Sequence, residues 1–347
     1  MSKGLRIITM VLGGFVVISF LHLWLNIGVE KLSWLSTDVR QETFKVGFLP
    51  VTCHLTCPVT DWINTNTTGK GFYEPVRFSG WPEIKESIVS GHLPATFLLA
   101  PLAMVLRQQG VPIKIVYLGH RDGTAIMVHK DSKIRNFNDL RGKTLAVPNR
   151  FSNQYLIVYK GLRDQGMTTA DIKIVEMPPP DMPAALFSKS VDAITSGEPF
   201  MGQTEIEGYG RVLYQAKQLW PNFISCVLVI QEKMIREHPE QVQRMVDGIA
   251  KSGQWLDTSQ ENRMDAAEVV AKKYYNQNPK LLRYVLSQPP DRVTYTNLSL
   301  AKKDFEQIEG LAREVGILKA PIAFEEYADP RFSEKAQTVS LNKKGGQ

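Results

Sequence analysis

Short apolar runs alternate along this chain with stretches of helical periodicity, and most runs end in a turn of Pro, Gly or small polar residues. Strands that alternate with helices in this way build βαβ units and an α/β fold. Eight runs read as strands: 44–49, 113–118, 124–129, 144–147, 172–176, 191–195, 211–214 and 225–230. Helical spacing covers 82–90, where Ile84 and Ile88 share a face behind Pro82. It covers 239–257, where Pro239 opens a stripe of Val242, Met245, Val246, Ile249 and Leu256. It also covers the Ala-rich 265–275 and the segment 300–315, with Phe305, Ile308, Ala312 and Val315 in step. Residues 178–183, PPPDMP, read as a stiff connector. A chain of 347 residues is long enough for two domains.

The strand-to-turn junctions carry the functional signal. In FKVGFLPVTCHLTCPVTDW, residues 44–62, the run Phe44 to Leu49 ends at Pro50, and Pro58 stands where a helix begins. A strand feeding a helix start points unpaired backbone N–H groups at whatever lies in front of it. Gly80-Trp81-Pro82-Glu83 repeats the pattern, with Trp81 either walling a cleft or covering a helix end. Leu98-Leu99-Ala100-Pro101 ends a strand-like run in small residues that let a ligand approach the backbone. Ser152-Asn153-Gln154 offers either helix-cap chemistry or contacts to an oxygen-rich solute, with Arg150 nearby as a cation. Gly197-Glu198-Pro199-Phe200 puts a carboxylate at a strand's end, able to bind a cation, accept from a solute or hold an Arg or Lys.

No dinucleotide, P-loop, zincin or nucleophile-elbow signature is present, which weakens an enzyme reading. Cys53-His54-Leu55-Thr56-Cys57 is the one cluster of metal-ligand types. It reads as a ligand loop with an incidental or disulfide-bonded Cys53/Cys57 pair, as a metal or thiol site on Cys53, His54 and Cys57, or as packing. Cys226, in SCVLVI, reads as a core residue. The net charge of +6 is mild and partly sits in the two ends, and no basic stripe carries interleaved aromatics, so nucleic acid is not an expected partner. Residues 7–25, IITMVLGGFVVISFLHLWL, are apolar throughout except for His22, and follow Lys3 and Arg6. This reads as an N-terminal transmembrane anchor with an exported body, or as a cleaved signal peptide, followed by a tether to residue 43.

Together the motifs resemble the solute-binding proteins of ABC importers for nitrate, sulfonates, taurine and bicarbonate. The resemblance covers about 44–320 and rests on the order KVGFLP, a Trp turn, LLAPLAM, DSKIRNFNDLRGKTLAVP, DAITSGEPF and SCVLVIQEKMIREHPEQV. It implies a two-lobe fold of the periplasmic binding protein type II kind, with lobe one at 44–122 plus 231–330, lobe two at 123–230 and a tail at 331–347. Crossovers near Gly123–Thr124 and Gln231 would let the lobes close by a hinge. Carried over by position, the ligand contacts are Thr52, Cys53, His54, Trp81, Ala100, Pro101, Thr124, Ser152, Asn153, Gln154 and Glu198. The implied function is a periplasmic receptor, without cofactor, that captures a small polar or anionic solute and delivers it to an ABC permease. The CHLTC loop and a second-lobe loop reading NRFSNQ, without a His, depart from the nitrate and bicarbonate binders. The alternatives are a pyrimidine-precursor synthase-like protein on the same fold and a metal or redox module on the Cys53-His54-Cys57 loop.

Overall fold

The computed structural model describes residues 43–336 together with residues 4, 12–15, 17–19 and 22. The chain divides into two units, Met1–Thr43 and Phe44–Gln347. In the first, the described residues 12–15 and 17–19 are helical, and Leu12, Phe15, Val17 and Ile18 are exposed. Most of the expected anchor at 7–25, and the tether after it, lie outside the described residues. Among the described residues no helix is long and apolar enough to cross a membrane.

Among the described residues the second unit holds twelve strands. They are β1 (Phe44–Phe48), β2 (Tyr73–Arg77), β3 (Ala95–Leu99) and β4 (Ile113–Leu118). There follow β5 (Arg121–Asp122), β6 (Thr124–His129), β7 (Thr144–Val147) and β8 (Lys173–Glu176). The last are β9 (Ala193–Gly197), β10 (Gly210–Gln215), β11 (Cys226–Gln231) and β12 (Val293–Thr294). Two five-stranded sheets result, ordered β2-β1-β3-β11-β4 and β10-β6-β9-β7-β8. The parallel strands β1, β2 and β3 lie beside antiparallel β11 in the first sheet, and β7, β8 and β9 beside antiparallel β6 in the second.

β3 is buried along its whole length, as expected of a central strand covered by helices on both faces. β2 escaped the pattern reading because YEPVR carries a proline and charges. It lies at the sheet edge, where a missing N–H is tolerated. The run 225–230 was expected in the second lobe, yet β11 pairs with β3 and β4. The return crossover therefore falls before Cys226, not near Gln231, because CVLVI is fully buried in the first sheet. The expected helices appear at Trp81–Val89, Pro239–Thr258 and Lys302–Glu314, and the Ala-rich one spans Gln260–Val270 before a wider turn at Ala271–Tyr275. Within PPPDMP, Pro179–Asp181 forms a tight turn and Met182 starts a helix. Of the expected tail, residues 331–336 are helical, with Phe332, Ser333 and Ala336 buried. Residues 337–347 lie outside the described residues.

The two strands of chain joining the sheets run side by side. The Gly119 amide donates to the Cys226 carbonyl at 2.9 Å and the Asp122 amide to the Phe223 carbonyl at 2.8 Å. A third segment braces them: β12 pairs with β5, and the Gly123 amide donates to the Arg292 carbonyl at 2.8 Å. Gly119 is needed here, since a Cβ at this position would sit 2.2 Å from the Cys53 carbonyl oxygen.

Candidate functional site

Five strands, β1, β2, β3, β7 and β9, each lead at their C-terminal ends into a helix, β3 directly and the others through a turn. Ligands of open α/β sheets collect at such ends. After β1 come the turn Thr52–His54 and the helix Thr56–Thr68. After β2 comes the helix Trp81–Val89, and after β3 the helix Ala100–Gln108. In the second sheet β7 leads to the helix Asn153–Arg163 and β9 to the helix Phe200–Ile206.

These turns meet. The Thr52 amide donates to the Glu198 carbonyl at 2.8 Å, which ties a first-sheet loop to a second-sheet turn. The Thr52 hydroxyl lies 3.0 Å from His120 Nε2 and 3.3 Å from the same Glu198 carbonyl. The Tyr295 hydroxyl donates to the Thr52 carbonyl at 2.9 Å, and that of Tyr275 to the Val51 carbonyl at 2.7 Å. His54 stacks on Phe97 and meets Trp81 edge-on, with ring centroids 5.0 and 5.7 Å away. Gln154 Nε2 donates to the Thr124 and Ser225 hydroxyls at 3.2 and 3.3 Å. Asn153 Nδ2 donates to the Ile224 carbonyl at 2.6 Å.

Every one of Thr52, Cys53, His54, Trp81, Ala100, Thr124, Ser152, Asn153, Gln154 and Glu198 is buried. Several of their polar atoms have no protein partner: His54 Nε2, Trp81 Nε1, Asn153 Oδ1 and Gln154 Oε1; His120 Nδ1 and Thr195 Oγ1 are also without one. Leaving a buried donor or acceptor unmet costs about 1–3 kcal/mol. A cluster of such atoms in one place is the signature of a site completed by something else.

Not every expected contact remains free. The Ser152 hydroxyl donates to the Asn149 carbonyl and accepts from the Tyr155 amide at 3.0 Å, so it is a helix cap whose proton is spent inside the protein. Both carboxylate oxygens of Glu198 are engaged, one by Arg292 at 2.6 Å and the other by the Gly202 amide at 2.7 Å. Burial pushes the Glu198 carboxyl up, against the pull of Arg292 and the Gly202 amide. Of the roles open to this carboxylate, holding an arginine is the one its geometry adopts. Ala100 and Pro101 open their helix one residue past Leu99, which pairs with Cys226. Arg150 is outside the site, half exposed and paired with Glu176 at 3.3 Å.

The cysteine cluster differs from expectation. Cys57 lies apart, in the helix Thr56–Thr68, where its carbonyl accepts from the Tyr73 hydroxyl at 2.7 Å and burial raises its thiol. Cys226 takes its place: its sulfur is 2.9 Å from that of Cys53, and an imidazole nitrogen of His54 joins them within 4.8 Å. Burial raises the Cys53 thiol, but Cys226, His54 and His120 outweigh it and the net shift is downward. Burial and the neighbouring Cys53 push Cys226 up, so Cys226 is the partner that keeps its proton. The Leu49 amide donates to His54 Nδ1 at 2.7 Å, which puts the ring proton on Nε2. With one ring nitrogen accepting and the other protonated, His54 has no free lone pair for a metal, and the trio does not fit a metal centre as it stands. His120, Ser225, Cys226, Arg292 and Tyr295 were not legible as site residues. They come from core-like runs or from a segment more than 90 residues away in sequence, as the Glu198–Arg292 pair shows.

A cavity of about 520 Å³ lies elsewhere, between the helices Thr56–Thr68 and Pro239–Thr258, lined by Asn64, Phe72, Arg244 and Trp255. It contains none of the unpartnered groups, so the chemistry points to the cleft and not to this groove.

Two sheets joined by paired crossovers, with loops converging on one buried polar cluster, define the architecture of the periplasmic solute-binding proteins. The chain belongs to the NMT1-like family, whose profile matches residues 38–271. The riboflavin-binding protein RibY of Chloroflexus aurantiacus is 29% identical over 147 residues, 41% of this chain and 41% of that protein. The nitrate/nitrite binding protein NrtA of a Nostoc species is 23% identical over 263 residues, 67% of this chain and 58% of that protein. The chain thus spans about half the length of the curated relatives it matches. Among solved structures, the ligand-binding component of an ABC-type import system from Staphylococcus aureus, solved with zinc bound, has a TM-score of 0.75 and 25% identity. It covers 85% of this chain and 98% of that one. The desulfurization enzyme DszB shares the fold at a TM-score of 0.62 and 16% identity, over 86% of this chain and 99% of its own. Fold alone therefore does not separate binding from catalysis.

Proposed function

We propose that this protein is an extracytoplasmic receptor whose two lobes, one on each sheet, close around a small polar solute and present it to an ABC importer. The observation that carries the reading is the set of buried polar atoms without partners at the meeting of the two sheets, on His54, Trp81, Asn153 and Gln154. A ligand held there supplies the missing hydrogen bonds, and no covalent step is needed. The paired crossover chains support hinge opening, and the Thr52–Glu198 contact is what opening would break. Relatives named for binding nitrate and riboflavin support the receptor role while differing in cargo. The exposed apolar residues Leu12, Phe15, Val17 and Ile18 support tethering of the body to the membrane through the N-terminal segment.

The test is a thermal-shift screen of the full-length chain against nitrate, sulfonates, taurine, riboflavin, pyrimidines and zinc. A ligand that binds only the folded state raises the melting temperature by mass action. A saturable shift with a small solute, diminished in Trp81→Phe, supports the receptor. A shift with zinc alone, abolished in Cys53→Ser, would instead establish a metal protein and defeat this reading.

A further inference from the structure

Among the unpartnered atoms, two donors on the first-sheet side and one acceptor on the second are fixed by their neighbours. On the first-sheet side both are donors. His54 carries its ring proton on Nε2, because Nδ1 accepts from the Leu49 amide, and Nε2 has no partner. Trp81 Nε1 can only donate, and it too has no partner. On the second-sheet side one acceptor is fixed. Asn153 Nδ2 donates to the Ile224 carbonyl at 2.6 Å. A carbonyl can only accept, so the Asn153 amide cannot be flipped and Oδ1 is the atom left over. Gln154 meets the Thr124 and Ser225 hydroxyls, which can donate or accept, so its amide offers the cleft either Oε1 or Nε2.

Charge narrows the class further. A bare anion sealed in a closed cleft needs a cation or a full set of donors. Arg292 is already held by Glu198 and Glu205 at 2.6 and 2.7 Å, and Arg150 pairs with Glu176 outside the cleft. An ion with acceptor oxygens only would satisfy His54 and Trp81 but would set its lone pairs against Asn153 Oδ1.

We propose that the cargo of this cleft is a neutral or zwitterionic solute bearing N–H or O–H donors together with acceptor atoms, and not a bare oxyanion. Its acceptor end meets His54 Nε2 and Trp81 Nε1, and its donor end meets Asn153 Oδ1, with the Gln154 amide beside it. The proposal rests on the receptor reading and specifies what that receptor takes.

Matched pairs test it. Isothermal titration of the full-length chain compares taurine with ethanesulfonate, which lacks the ammonium group. It also compares uracil with N,N′-dimethyluracil, which lacks the N–H donors. The expected result, in at least one pair, is that the donor-bearing member binds about tenfold or more tightly and that Asn153→Leu erases the difference. Equal or tighter binding of the donor-free member in both pairs overturns the proposal and leaves the receptor reading standing. So does saturable nitrate binding that is indifferent to Asn153→Leu. No binding of any of these probes overturns both. Where Asn153→Leu does not fold, the wild-type comparison within each pair decides alone.

Discussion

Thr52 donates its amide to the carbonyl of Glu198 at 2.8 Å, so a loop of the first sheet reads the backbone of a turn on the second. The carboxylate of the same residue is held separately, between Arg292 and the Gly202 amide. Arg292 comes from the segment that also braces the crossovers through β12. Closure, crossover and ion pair are thus built on one another.

This arrangement makes Arg292 structural. It is 3% exposed and engages Glu198 and Glu205, with Tyr284 beneath its guanidinium. Arg292→Met would leave two carboxylates unpaired, one of them fully buried. Denaturant unfolding at neutral pH is expected to show a loss of about 3–5 kcal/mol. A loss below about 1 kcal/mol would mean that the pair is solvated or dispensable.

His120 sets an acid limit. Burial holds its imidazole below the usual 6.5, with Cys53 pulling the other way and His54 adding to the depression. Below pH 6.5 the unfolded chain takes up a proton that the native state still refuses. The stability linked to His120 is therefore complete above that pH and is lost as pH falls through the folded value. The unfolding midpoint of the wild type should drop more steeply below pH 6.5 than that of His120→Gln. Parallel pH curves for the two would remove His120 from this role.

Two of the sequence-derived contacts should part company on mutation. Ser152 caps its helix with both of its bonds inside the protein, so Ser152→Ala should cost about 0.5–2 kcal/mol of stability and leave solute affinity unchanged. Trp81 holds an unpartnered N–H in the cleft, so Trp81→Phe should weaken solute binding about tenfold. Calorimetric titration beside denaturant unfolding separates these effects. The reverse assignment would mean that the cleft is lined differently.

The cysteines make a prediction about pairing. Cys53 and Cys226 have their sulfurs 2.9 Å apart, whereas Cys57 points into its own helix packing against Tyr73. Mild oxidation is expected to join Cys53 to Cys226. Peptide mapping without reductant reads the linkage directly, and a Cys53–Cys57 peptide would contradict it.

What the sequence made legible follows from range. The first-sheet strands 44–49 and 113–118, the second-sheet strands 124–129 and 144–147, and the proline-opened helix at 239–257 each depend on local periodicity, and all are present within a residue or two. The loops carrying Thr52, His54, Trp81, Asn153 and Gln154 were legible because strand-to-helix junctions mark themselves with turn residues. Local signals failed where partners come from afar. Cys226 looked like core because it is core, in the sheet opposite to the one expected. Glu198 looked like a ligand because its ion partner, Arg292, lies in a segment without strand or helix periodicity. β2 was hidden by Pro75, which an edge strand tolerates.

The most direct test of the account is hydrogen exchange on the full-length chain, with and without a solute that raises its melting temperature. Closure of two lobes on one cargo predicts slowed exchange on both sides at once: around 52–56 and 81–84 in the first sheet's loops, and around 152–156 and 198–202 in the second's. Protection confined to one side, or centred on the groove at Phe72 and Trp255, would contradict a cleft receptor.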